Sequence, residues 1–222
     1  SGITTNSASI IKSTVTTAIV DHGANQLQDF DKSFRYSNLI KAIDEAEVSV
    51  KSNQTSISIK RYLYPALGAS EAYTLKFSNE IYHPSNTFWG AVSSGEFSYR
   101  DTANTLWTGC KIQDANGVAQ IYRTSGQDRI IVDNDVGTIT YTTGKMSLVG
   151  FYPIAIGSVS TGNTTPLEVS VVPSSSDVLP LREQIILIEE GDISITMVDD
   201  AGTGTYVQGS STNLDGTTLI TG

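Results

Sequence analysis

The sequence is short of most things that active-site chemistry draws on. It holds one cysteine, Cys110, so no disulfide can form within the 222 residues, and a reducing compartment is expected. Its two histidines, His22 and His83, make no His-x-x-x-His pair, and no Cys-x-x-Cys occurs, so the usual zinc spacings are excluded. No Gly-x-Ser-x-Gly elbow is present. Long apolar runs are missing too. The most apolar window, 148–156, is too short to span a bilayer and is broken by Gly150 and Pro153, so no membrane role is expected. Ser1-Gly2-Ile3-Thr4-Thr5 lacks a charged region followed by an apolar one, which argues against a signal peptide. The absent initial Met points to a fragment or a processed start.

Positive charge is also scarce. The net charge is -9, and residues 67–222 alone carry -10. Such a surface repels phosphate, so nucleic-acid binding is not expected. Charged residues make up 17% of the chain and apolar residues 39%, both low for a soluble domain. Ser, Thr, Asn and Gly fill the gap, a mix common in β-rich, turn-rich chains. A chain of this length buries roughly 70% of its unfolded surface and needs no disulfide or metal to stay folded.

The first part has helical periodicity. Ile11, Val15, Ala18, Ile19 and His22 form one stripe, with Gly23 expected to weaken or end it. A second helix fits Ser37–Glu47, with Ser37 as N-cap and Leu39, Ile40, Ile43 and Ala46 on the buried face. Its charges oppose its dipole: Lys32 and Arg35 stand near the start, Asp44, Glu45 and Glu47 near the end. Either solvent screens them or a partner chain supplies compensating charge.

After Asn53 the period changes to two, at Ser56–Lys60 and again at Tyr73–Ser78, with a loop over Pro65–Ser70. Asn116-Gly117 between Gly109–Ile112 and Val118–Tyr122 marks a hairpin of type I′. Asp133–Gly137 is expected to be another turn, joining Ile130–Val132 to Thr138–Tyr141. Thr142–Lys145 leads into a strand at Met146–Val149. Later strands are expected at Leu167–Val172, and at Gln184–Ile188 with Asp192–Val198.

Chemical motifs are weak. Gly137–Lys145 has six residues between its glycines where a P-loop has four, and Met146 replaces the required hydroxyl. Asp133-Asn134-Asp135 begins like a calcium loop, but Gly137 and Gly144 fall where ligands are needed. Cys110 in a strand reads as a buried thiol and His22 as a structural histidine. No catalytic residue, cofactor or metal site is assigned. The aromatics Tyr73, Phe77, Tyr82, Phe88, Trp89, Phe97, Tyr99 and Trp107 read as sheet packing first and as a ligand platform second.

Several segments resemble one family in order and spacing. Phe30–Leu39 followed by Ile43-Asp44 resembles a helix-entry motif. Tyr73–Glu80 resembles a strand ending in Phe-x-Asn. Val136–Lys145 resembles a Gly-Thr-(Ile/Val)-x-Tyr-x-x-Gly-Lys hairpin, and Leu179–Ile185 with Asp192–Ile195 resembles closing strands. Together they look like the C-terminal part of the T4-type phage baseplate wedge subunit, the product of gene six, a relative of the baseplate J proteins. The resemblance runs from about residue 9 to 198.

It implies a virion protein of the tail baseplate, assembled in the host cytoplasm. It also implies a homodimer that contacts neighbouring wedge subunits and links wedges into a ring around the tail hub. No enzyme activity is expected. The alternative is a carbohydrate- or receptor-binding tail module, marked by a polar cleft lined by Trp89 or Trp107. A hydrolase, the third reading, needs carboxylates converging in a pocket.

The expected fold is α+β: a helical segment over 1–52, an antiparallel β-rich domain with hairpins over 53–198, and a Gly/Ser/Thr-rich extended tail over 199–222. The expected contact residues are Ile11, Val15, Ile19, Phe34 and Arg35, with Tyr206, Val207, Leu214 and Leu219 anchoring the tail along a sheet edge.

Overall fold

The computed structural model describes residues 6–157, 159–160, 165–180 and 184–198. They fall in two compact units, one within 1–57 plus 176–222, the other within 58–175.

In the first unit, helix α1 (Ala8–Gln26) buries Ile11, Val15, Ile19 and Gly23, a stripe at helical spacing, and packs on helix α2 (Tyr36–Ala46). Gly23 does not end α1. The helix runs one turn further because Gly23 is where Ile188 lies against it; a Cβ there would sit 3.1 Å from the Ile188 Cβ. Helix α2 begins one residue earlier than expected, with Arg35 and not Ser37 at the N-cap, and buries Leu39 and Ile43.

Strands were expected at Gln184–Ile188 and Asp192–Val198. Neither stretch joins a ladder among the described residues, and the 3₁₀ turn Glu190–Asp192 takes in the first residue of the second. Their alternation is real: Ile186, Ile188, Ile193, Ile195 and Met197 are less exposed than the residues between them. It records one face turned inward without recording a hydrogen-bonding partner.

The second unit is an antiparallel sheet of eleven strands. Along its main path β1 (Ile59–Leu63) pairs with β11 (Leu167–Val171), then come β3 (Val92–Ser94), β5 (Leu106–Ala115), β6 (Val118–Ser125), β7 (Asp128–Thr140), β8 (Lys145–Phe151) and β2 (Glu71–Lys76). β4 (Phe97–Arg100) pairs with both β5 and β9 (Pro153–Ile156), and β9 with β10 (Val159–Ser160).

The path cannot be flat. Its end strands β1 and β2 are joined by the short loop 64–70. Eight flat strands at about 4.8 Å spacing would put the ends ~34 Å apart. The loop, fully stretched, reaches at most ~29 Å. The sheet therefore curls, giving a nearly closed, barrel-like form. Phe77, Phe97, Ile112, Ile121, Met146, Leu148 and Phe151 fill its interior, each almost fully buried. Phe97 meets Phe151 edge to face at 5.2 Å.

The α+β expectation is thus corrected. The described residues are mostly antiparallel β, with two α-helices among them, both toward the N-terminal end. The helical periodicity was read correctly, but several strands were not. Val92–Ser94, Phe97–Arg100 and Pro153–Ile156 are too short to show a period of two, and they are strands because neighbours hydrogen-bond to them. The expected turn at Asp133–Gly137 is not a turn. β7 continues through it as a bulge: Ala119 faces Gly137 and Ile121 faces Asp133, so the β7 side holds extra residues. The chain reverses instead at Gly126-Gln127, with Gly126 at φ +63°. Asn116 and Gly117, at φ +49° and +88°, make the type I′ hairpin that was expected.

Candidate functional site

Helix α2 starts without a cap of its own. Its preceding residues are instead held by a segment more than 140 residues away. Phe34 and Val178 exchange backbone hydrogen bonds of 2.9 and 3.1 Å. Next to them, the Asp177 carboxylate accepts from the Tyr36 backbone N–H at 2.9 Å and from Arg35 Nη1 at 2.7 Å. A carboxylate on the first free N–H of a helix satisfies an orphan donor and offsets the positive end of the dipole. The Arg35 hydrogen bond, then that of Tyr36, hold Asp177 below the usual carboxylate range. The compensating charge at the start of α2 is therefore intrachain. At the other end, Glu45 lies 3.7 Å from Lys41, Glu47 accepts from Asn6, and Asp44 accepts from Asn53.

The expected contact residues divide accordingly. Ile11, Val15, Ile19 and Phe34 are buried in the chain as it stands, and Arg35 is exposed in its ion pair with Asp177. Tyr206, Val207, Leu214 and Leu219 lie outside the described residues.

A second polar centre lies inside the barrel-like unit. Asp114, on β5 beside the Asn116-Gly117 turn, is fully buried. One carboxyl oxygen accepts from the Gly90 and Val92 N–H groups at 2.9 and 3.0 Å; the other accepts from the Tyr141 hydroxyl at 3.1 Å. That hydroxyl accepts in turn from Gly117 N–H at 2.8 Å, and burial pushes it up to about 12. His83 stacks on the Tyr141 ring at 3.9 Å. The network ties the β3 entrance, the hairpin and the 3₁₀ turn Tyr141–Thr143 together. Cys110 is fully buried, and burial pushes its thiol up to about 11, which makes it a poor nucleophile. Burial also lowers His22.

A cavity of about 340 Å³ is lined by Gly95, Glu96, Ile156, Gly157, Thr165 and Glu168 among others, and by neither tryptophan. Its two carboxylates are exposed, Glu96 lying 3.6 Å from Lys111 and Glu168 3.5 Å from Lys60. They lack the apolar enclosure a general acid needs. Trp107 is half-buried, its indole N–H donating to Asp101 at 2.8 Å. Trp89 is exposed and stacked on Arg129. Among the described residues no cluster of His, Cys, Asp or Glu could hold a metal, and no helix is long and apolar enough to cross a membrane.

Capping, bridging and stacking are what these residues do within the described structure. Residues 2–62, which span both helices, match the family of baseplate structural protein gp6, C-terminal domain III. The match supports a T4-type, gp6-like baseplate structural protein of the virion tail. No curated protein matches the chain.

Proposed function

We propose that the chain acts by contact and not by catalysis: it pairs with a second copy of itself, contacts neighbouring wedge subunits, and so links wedges into a ring around the tail hub of a contractile-tailed phage. Assembly takes place in the host cytoplasm before the virion is complete. The observation that carries this reading is the match of the helical segment 2–62 to a baseplate domain. The order of the β-segment motifs beyond the matched region, which resemble the same family, supports it. The acidic surface disfavours indiscriminate association, so pairing calls for a defined patch. Sedimentation of the purified chain at about 10–100 μM tests it, the range in which a dimer of micromolar affinity populates. A dimer is expected. Monomer throughout that range would overturn the self-pairing.

A further inference from the structure

The outer face of the β5–β6–β7 ribbon carries an arginine held in an unusual setting. Register places Lys111 opposite Tyr122, Gln113 opposite Gln120, Thr124 opposite Arg129, and Tyr122 opposite Ile131. Opposed residues share a face, so these side chains stand away from the core that takes Ile112 and Ile121. The Arg129 guanidinium lies 3.9 Å from the Trp89 ring centroid and 4.2 Å from that of Tyr122, in contact with both aromatic rings. One of its N–H groups donates to Gln113, which is itself fixed by Gln120 at 3.0 Å.

No carboxylate pairs with Arg129 among the described residues, although Arg35, Lys41, Lys60 and Lys111 each lie beside one. Two aromatic rings lie against the guanidinium and hold it in place. Its N–H fork fits a planar, two-oxygen acceptor, and part of the rotamer entropy is already spent. Trp89 remains 57% exposed beside it and Ile131 44%. Trp, Tyr and Arg are the residues that carry most energy at protein interfaces.

We infer that Arg129, with Trp89 and Tyr122, is the docking point for a carboxylate of a second copy of this chain. Charge complementarity names the occupant: with 23 acidic against 14 basic residues, a second copy presents carboxylates widely. The inference rests on the self-pairing proposed above. In a two-fold dimer the contact occurs twice, so one substitution removes both.

Sedimentation velocity on the full chain tests it with Arg129→Glu, Arg129→Lys and, as a charge-matched control, the exposed Lys145→Glu. Losing one such anchor should raise Kd at least ~10-fold, so Arg129→Glu should raise it ~100-fold for the pair of contacts. Arg129→Lys should raise it ~10-fold, since a lysine keeps the charge but lacks the planar fork that stacks on the rings and pairs with a carboxylate. The control should stay within ~3-fold, as a rim charge does. Should Arg129→Glu fail to fold, Trp89→Ser, at an exposed position, is expected to weaken pairing ~10-fold or more. A monomeric wild type overturns the self-pairing together with this inference. A dimeric wild type whose Arg129 variants associate like wild type, or no worse than Lys145→Glu, overturns this inference alone.

Discussion

Asp114 offers the sharpest test of what holds the barrel-like unit together. Its fully buried carboxyl serves three donors: two backbone N–H groups at Gly90 and Val92, and the Tyr141 hydroxyl. Asp114→Ala leaves all three without an acceptor. An orphaned buried donor costs about 1–3 kcal/mol, and some of that is recovered if water enters the space left behind. The expected loss is about 3–5 kcal/mol, or a fall in Tm of roughly 10 °C for a chain of this size. Asp114→Asn separates the contributions. Its carbonyl oxygen still accepts from Gly90 and Val92, but its NH₂ cannot accept from Tyr141, so the loss should be only about 1–2 kcal/mol. Urea unfolding followed by tryptophan fluorescence reads the right unit, since Trp89 and Trp107 both lie within 58–175. The reasoning fails if Asp114→Ala stays within about 1 kcal/mol of wild type, or if the Asn variant is as damaged as the Ala variant.

At Gly137 (φ +156°) an added Cβ would lie 2.0 Å from the Ser147 carbonyl oxygen, which is backbone and cannot rotate away, so Gly137→Ala should cost about 3 kcal/mol in the same unfolding assay. Asp177 is held below its ordinary value of 3.8, so its contribution is present above that value and lost as pH falls through the lowered one. The protection of the Tyr36 amide, its exchange taken relative to the intrinsic rate at each pH, should fall on acidification below pH 3.8, and Asp177→Asn should remove that change in protection. Cys110, with its thiol near 11, should resist maleimide at pH 8 in the native chain and react fully on unfolding. Replacing His22, His83 and Cys110 together by Ala should leave pairing intact, as measured by sedimentation; loss of a specific turnover in that variant would contradict the contact-only reading.

What the sequence by itself determined is what neighbouring residues decide among themselves. The stripe Ile11, Val15, Ile19 needs only the 3.6-residue period, and it is buried along α1 as the spacing requires. Asn116-Gly117 needs only two residues tolerant of positive φ, and it turns where expected. Asp133–Gly137 has the same local chemistry, yet it forms a bulge, because turn formers and bulge formers are the same residues and only the strands on either side choose between them. Ser37 is a good cap by type, yet Asp177 caps the helix, because a carboxylate delivered by chain folding reaches the free N–H group. The Trp89–Arg129–Tyr122 contact left no trace in spacing: it draws on a loop and two strands, each unremarkable alone, and only the registers across β5, β6 and β7 bring them to one face. Local propensity acts over a few residues, whereas these contacts are set by which strands pair, and that depends on the whole chain burying its apolar surface at once.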